Sequence, residues 1–180
     1  MKKAARTAAF FISAASMATH LKNLSDFNAA ELPSAKGMRF ALVVSSWNDK
    51  ITGALADGAR EALLAAGCSA EDIERVDVPG SYELPLGARW MADQQRYDAI
   101  LCLGCVIQGE TRHFDFICDA VANGLMDLNL EYGLPFIFGV LTPNTLEQAI
   151  DRAGGKHGNK GVEAATTAIR MVALKRSINK

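Results

Sequence analysis

The residues best suited to chemistry gather in a few short segments. Gly109-Glu110-Thr111-Arg112-His113 brings a carboxylate, a hydroxyl, a guanidinium and an imidazole together just after an apolar run. If a helix starts here, its free backbone N–H groups and partial positive charge offer a seat to a phosphate. Thr111 can cap that helix or give its hydroxyl to the anion. His113 falls in the first turn, where an imidazole can shuttle protons near neutral pH; the plainer reading is a surface histidine at a helix start. A second segment, Arg152-Ala153-Gly154-Gly155-Lys156-His157-Gly158-Asn159-Lys160-Gly161, joins cations to glycines that permit close backbone approach. No Walker spacing fits it, and a solvated connection is the alternative. Trp47 offers an aromatic face to a planar heterocycle. Glu83, after Pro79-Gly80-Ser81-Tyr82, offers a carboxylate to sugar-like hydroxyls. Each also reads as a packed indole or a solvated loop charge.

Cys102 and Cys105 form a CxxC, the spacing of a redox pair. They lie, however, within Ala99-Ile100-Leu101-Cys102-Leu103-Gly104-Cys105-Val106-Ile107, which reads as a buried strand rather than a helix cap. Side chains three apart on a strand point to opposite faces, so these thiols read as inert core residues. No Cys/His group has metal spacing, no GxSxG elbow is present, and no GxGxxG follows the first strand. The expectation is an enzyme without metal or redox cofactor.

The elements that must position these residues alternate. A strand is expected over 39–46, rich in β-branched and apolar residues. A helix follows, capped by Asn48 or Asp49, with Ile51, Leu55, Ala59 and Leu63 recurring at four-residue intervals. Further strands are expected over 73–78, 99–107 and 135–141. Helices are expected over 85–93, from about 113 to Gly133 with Phe114, Ile117, Val121, Leu125 and Leu128 on one face, over 145–152, and over 162–175. Residues 154–161 read as a loop. This alternation implies parallel pairing and a three-layer α/β/α sandwich with a four-stranded, flavodoxin-like sheet. Ligands bind such sheets beyond the carboxyl ends of the strands, which directs attention to Trp47-Asn48, Pro79 to Glu83, Gly104 to His113 and Phe138 to Asn144.

The composition is compatible with one such domain. The chain has 180 residues, 49% hydrophobic and 22% charged, with a formal net charge of -1. That balance excludes a general nucleic-acid binder, which needs surplus cations. No apolar run reaches the roughly 20 residues that span a bilayer. Met1-Lys2-Lys3 followed by Ala8-Ala9-Phe10-Phe11-Ile12 resembles a short secretory signal, but the run is brief and Met17 offers a second start. The expected division is a leader or extension over 1–37 and a domain over 38–180 of a cytoplasmic protein.

Taken together, Trp47-Asn48, Val78-Pro79-Gly80-Ser81-Tyr82-Glu83-Leu84-Pro85, the run from Gly104 to Phe114 and the Arg152–Gly161 segment resemble the 6,7-dimethyl-8-ribityllumazine synthase family over residues 40–175. The resemblance implies condensation of 5-amino-6-(D-ribitylamino)uracil with 3,4-dihydroxy-2-butanone 4-phosphate, the penultimate step of riboflavin biosynthesis. It implies that Trp47 stacks on the pyrimidine, where many relatives have Phe. Ser81, Tyr82 and Glu83 would hold the ribityl chain, and Cys105, Val106 and Ile107 would read the uracil edge. Glu110 and Thr111 would contact the phosphate, and His113 would transfer protons. Phe138 and Arg152 would reach the site from an adjacent subunit, Arg152 taking the phosphate, with Lys160 adding charge nearby. It further implies a homo-oligomer: pentamers, in the shell-forming version twelve of them, with riboflavin synthase as a possible partner and an N-terminal segment that adds a strand to a neighbour. Two other readings stay open, a non-catalytic lumazine- or riboflavin-binding shell protein of this fold and a flavodoxin-like redox protein.

Overall fold

The computed structural model describes residues 32–179. The leader, its start site and the exchanged strand expected of the N-terminal segment fall mainly on residues 1–31, outside the described residues. Four parallel strands form one sheet in the order β2-β1-β3-β4: β1 (Phe40–Ser45), β2 (Ile73–Val78), β3 (Ala99–Cys105) and β4 (Phe136–Leu141). Phe40 lies beside Ile73 on one side and Ala99 on the other, and Ile100 lies beside Phe136. Every residue of the central strands β1 and β3 is buried. Coverage on both faces is why they read as unbroken apolar runs, whereas the edge strand β2 alternates and is half exposed.

Two helical layers provide that coverage. Helices α1 (Asp49–Ala65) and α5 (Lys160–Ile178) pack over Phe40, Leu42, Val44, Leu101 and Leu103. Helices α2 (Leu84–Ala92) and α3 (His113–Tyr132) pack over Ala41, Val43, Ile100 and Cys102. The two-residue alternation of a strand thus feeds two cores, one on each face, and the fold is a three-layer, flavodoxin-like α/β sandwich. Cys102 faces one core and Cys105 the other, and both thiols are free. Helix α3 ends at Gly133, whose φ of 54° is the left-handed stop that glycine adopts cheaply.

Several local expectations need correction. Residues 154–161 are not a plain loop: β5 (Ala153–Gly155) and β6 (Gly158–Asn159) make a small antiparallel hairpin after α4 (Leu146–Asp151). Helix α5 starts at Lys160, earlier than its apolar periodicity suggests, because Asn159 caps it. The Asn159 Oδ1 accepts from the Gly161 N–H at 2.8 Å, and its Nδ2 donates to the Ala54 carbonyl of α1 at 2.8 Å. On α3, Val121, Leu125 and Leu128 are buried as expected, but Phe114 and Ile117 are only half-buried.

The N-terminal ends of the strands carry a lattice of charge. The Arg39 backbone N–H donates to Asp98 at 2.8 Å, its side chain pairs with Asp72 at 3.2 Å, and Arg176 pairs with Asp98 at 3.0 Å. Arg96 pairs with Glu74, to which the Tyr97 hydroxyl also donates. Burial, reinforced by Glu74, pushes the Tyr97 phenol up to about 12. Ala35 is fully buried, and its N–H donates to the Ala66 carbonyl at 2.9 Å, which ties the entering chain to the end of α1. Among the described residues, no helix is long and apolar enough to cross a membrane.

Candidate active site

Chain order reverses between β1 and β3: one crossover leads from β1 outward to β2, the next leads back past β1 to β3. At such a switch point the loops leaving the two strands part and open a crevice. A cleft of about 700 Å³ lies there, floored by Cys105, Val106 and Ile107 and walled by Trp47, Asn48, Ser81, Tyr82, Glu83, Thr111 and His113, with Phe114, Phe116 and Ile117 of α3. Its size suits a small organic substrate.

Each wall is fixed by the fold. After β1, the Ser46 N–H donates to the Val78 carbonyl at 2.8 Å and the Trp47 N–H to Pro79 at 3.2 Å; the buried Ser45 hydroxyl donates to the Trp47 carbonyl at 3.4 Å. The Trp47 backbone is therefore held while its indole stands 72% exposed, an aromatic face presented rather than packed. After β2, residues Ser81–Glu83 form a single 3₁₀ turn that runs into α2. That turn fits because position 104 of β3 is glycine: a Cβ there would lie 2.7 Å from the Ser81 Oγ and 2.9 Å from Leu84. The Ser81 hydroxyl is itself buried and finds no hydrogen-bond partner among the described residues.

After β3, the chain stays extended towards α3. The Val106 N–H donates to Leu141 at 2.8 Å and the Gln108 N–H to Pro143 at 2.9 Å, so the even-numbered residues bond towards β4. The intervening residues face the other way, and the backbone of Ile107 is left to the cleft, with no hydrogen bond formed to it among the described residues. Helix α3 begins at His113, whose N–H leans on the Thr111 hydroxyl at 3.4 Å, so its N-terminus is aimed at the cleft. Burial pushes the Cys105 thiol up to about 11 and the Cys102 thiol higher still, and neither supplies a thiolate near neutral pH. Among the described residues no group of His, Cys, Asp and Glu is placed to share a metal ion.

Residues 37–176 match the family model described as 6,7-dimethyl-8-ribityllumazine synthase. The chain belongs to the 6,7-dimethyl-8-ribityllumazine synthase family. Relatives of that name include one from Cytophaga hutchinsonii, 55% identical over 152 residues that cover 84% of this chain and 95% of the relative. Another, from Flavobacterium johnsoniae, is 52% identical over 159 residues, covering 88% of this chain and 84% of the relative. One from Syntrophus aciditrophicus is 51% identical over 144 residues, covering 80% and 94%.

In this lumazine synthase family member the expected site residues divide into two groups. Trp47, Ser81, Tyr82, Glu83, Cys105, Val106, Ile107, Thr111 and His113 meet in the cleft of a single chain. Glu110, Phe138, Arg152 and Lys160 do not line it. Phe138 stands 39% exposed on the edge strand β4, and Arg152, exposed at the end of α4, forms no ion pair among the described residues. Lys160 pairs with Glu163 at 2.9 Å in the first turn of α5. Sequence reasoning missed Asn48, Phe114, Phe116 and Ile117 as cleft residues. Phe114 and Ile117 were legible only as part of a core stripe, because periodicity does not show where the covering layer ends, and Phe116 lies off that stripe.

Proposed function

We infer that the protein condenses 5-amino-6-(D-ribitylamino)uracil with 3,4-dihydroxy-2-butanone 4-phosphate to 6,7-dimethyl-8-ribityllumazine, with release of phosphate and water. The observation that carries this reading is the grouping, in one cleft, of an exposed indole, an unpaired strand-edge peptide and a helix N-terminus bearing His113 and Thr111. Those features suit a planar uracil, its donor and acceptor edge, and a phosphate respectively.

Trp47 stacks on the pyrimidine while the Cys105–Ile107 backbone reads its edge. Ser81, Tyr82 and Glu83 take the ribityl hydroxyls. The pyrimidine amine attacks the ketone to form an imine with loss of water; phosphate then leaves, and the ribityl nitrogen closes the ring with loss of a second water. Holding both reactants at fixed geometry supplies much of the acceleration, since effective molarities are worth about 7–11 kcal/mol. His113 moves protons, an effect of order 10²–10⁴-fold. The Thr111 hydroxyl, the backbone of the Glu110–Thr111 turn and the start of α3 receive the phosphate.

Among the described residues, no arginine or lysine lines the cleft of one chain, although the leaving group is a dianion. We assign the missing charge to Arg152 of an adjacent copy, with Lys160 near it and Phe138 closing the aromatic side. A ring of copies follows from this assignment; resemblance to the family makes it a pentamer and extends the proposal to a shell of twelve pentamers in the cytoplasm, with riboflavin synthase as a partner. Incubation with both substrates tests the activity through the fluorescence of the lumazine. Formation dependent on both is expected, and binding of lumazine or riboflavin without turnover would contradict it. Light scattering tests the shell: a particle of pentamer mass would remove it.

A further inference from the structure

We propose that Asn48 is a positioning residue that sets the width of the slot between the Trp47 ring and the β3 exit, and through it the affinity for the pyrimidine. Asn48 is one of two non-glycine residues with positive φ among those described, at φ 61° and ψ 46°. Asparagine tolerates this region better than most residues, but holding it there still costs about 1–2 kcal/mol. Strain of this kind persists where the surroundings fix it, often beside a functional site.

The side chain shows what the strain achieves. Asn48 occupies the cap position of α1, yet its side chain makes no capping bond. A cap of this kind is normally worth about 1 kcal/mol. Its Nδ2 donates instead to the Cys105 carbonyl at 2.9 Å, across the gap between the exits of β1 and β3. The Asn48 carbonyl meanwhile accepts from the Ile51 N–H at 2.8 Å and the Thr52 N–H at 3.0 Å, so the residue is anchored in α1 at its back. The β1 ladder to β3 ends at the Val44–Leu103 pair, and the backbone donors that follow β1, Ser46 and Trp47, are committed to Val78 and Pro79 on the β2 side. The amide of Asn48 therefore supplies the missing rung. Beyond that rung lies Ile107, the peptide open to the cleft; before it in sequence lies Trp47. One side chain thus fixes the separation of the ring that stacks and the edge that reads.

This inference rests on the activity proposed above, and its test keeps the two apart. Asn48→Gly keeps the left-handed backbone without strain and removes the rung. Asn48→Asp keeps the shape but turns an acceptor towards the Cys105 carbonyl. Both variants are expected to raise KM for the pyrimidine about tenfold, the loss of one well-placed hydrogen bond, with KM for the ketone phosphate within twofold of wild type. In a Trp90→Phe background, quenching of Trp47 fluorescence by the pyrimidine alone should shift to higher concentration by the same factor. Pyrimidine KM and quenching unchanged in Asn48→Gly would overturn the proposal while wild-type turnover leaves the activity standing. A parallel rise of both KM values with a fall in thermal midpoint would also overturn it, since that is a purely structural role. Wild-type protein that forms no lumazine would remove the activity and this inference with it.

Discussion

The two ends of the sheet are built from similar residue types and treat them in opposite ways. At the N-terminal ends of the strands, Arg39, Asp72, Asp98 and Arg176, and then Glu74, Arg96 and Tyr97, satisfy one another. At the C-terminal ends, His113, Glu83 and Glu110 form no ion pair among the described residues, the Ser81 hydroxyl has no partner, and the Ile107 peptide faces an open cleft. Polar groups that complete one another contribute to folding. Polar groups left incomplete are ready for a ligand, and the fold forgoes their stabilisation.

The difference can be broken by exchanging the effects. His113→Ala should lower kcat about a hundredfold, the lower range of lost proton transfer, without moving the thermal midpoint, because His113 contributes no packing to either core. A large drop in midpoint would make His113 a structural residue. Asp98→Ala, at the opposite end, should cost about 1–2 kcal/mol by removing an acceptor from Arg39 and Arg176. Chemical denaturation reads that loss, and kcat and both KM values should stay at wild type. If activity falls instead, the two ends are not independent.

A smaller effect concerns the core between them. Burial first, then Asp72 and Glu71, pushes the Cys68 thiol up to about 11, and burial alone does the same for Cys105. A thiol kept protonated in the folded state contributes stability that is complete below its ordinary value of 9.0 and is lost as pH rises towards 11. The thermal midpoint should therefore decline over that range, and less steeply in Cys68→Ala. Equal slopes in both proteins would refute the burial argument.

Much of this was legible in the chain because the layers write themselves as periodicity. The apolar runs of β1 and β3 announced strands covered on both faces, and the CxxC was recognisable as core for the same reason. What escaped was anything set by a partner distant in sequence. Asn48 looks like a helix cap; only the assembled sheet brings the Cys105 carbonyl within reach of its amide. Lys160 looked like a loop cation, and the cap made by Asn159 draws it into α5 beside Glu163. The glycines and cations of 153–161 gave no hint of a hairpin, since strands this short carry no alternation. Phe138 reads only as a strand residue and Arg152 only as one cation of a glycine-rich segment, because the contact proposed for them lies between two chains.

That proposed sharing of the site is the central claim, and mixing two damaged chains tests it most directly. Arg152→Ala alone should raise KM for the ketone phosphate, and His113→Ala alone should lower kcat. Co-refolded in equal amounts and assayed at low ketone phosphate, the two variants should recover about a quarter of wild-type activity, since about one interface in four of a head-to-tail ring joins an intact His113 to an intact Arg152. Activity no greater than the average of the separate variants would contradict a site built by two copies.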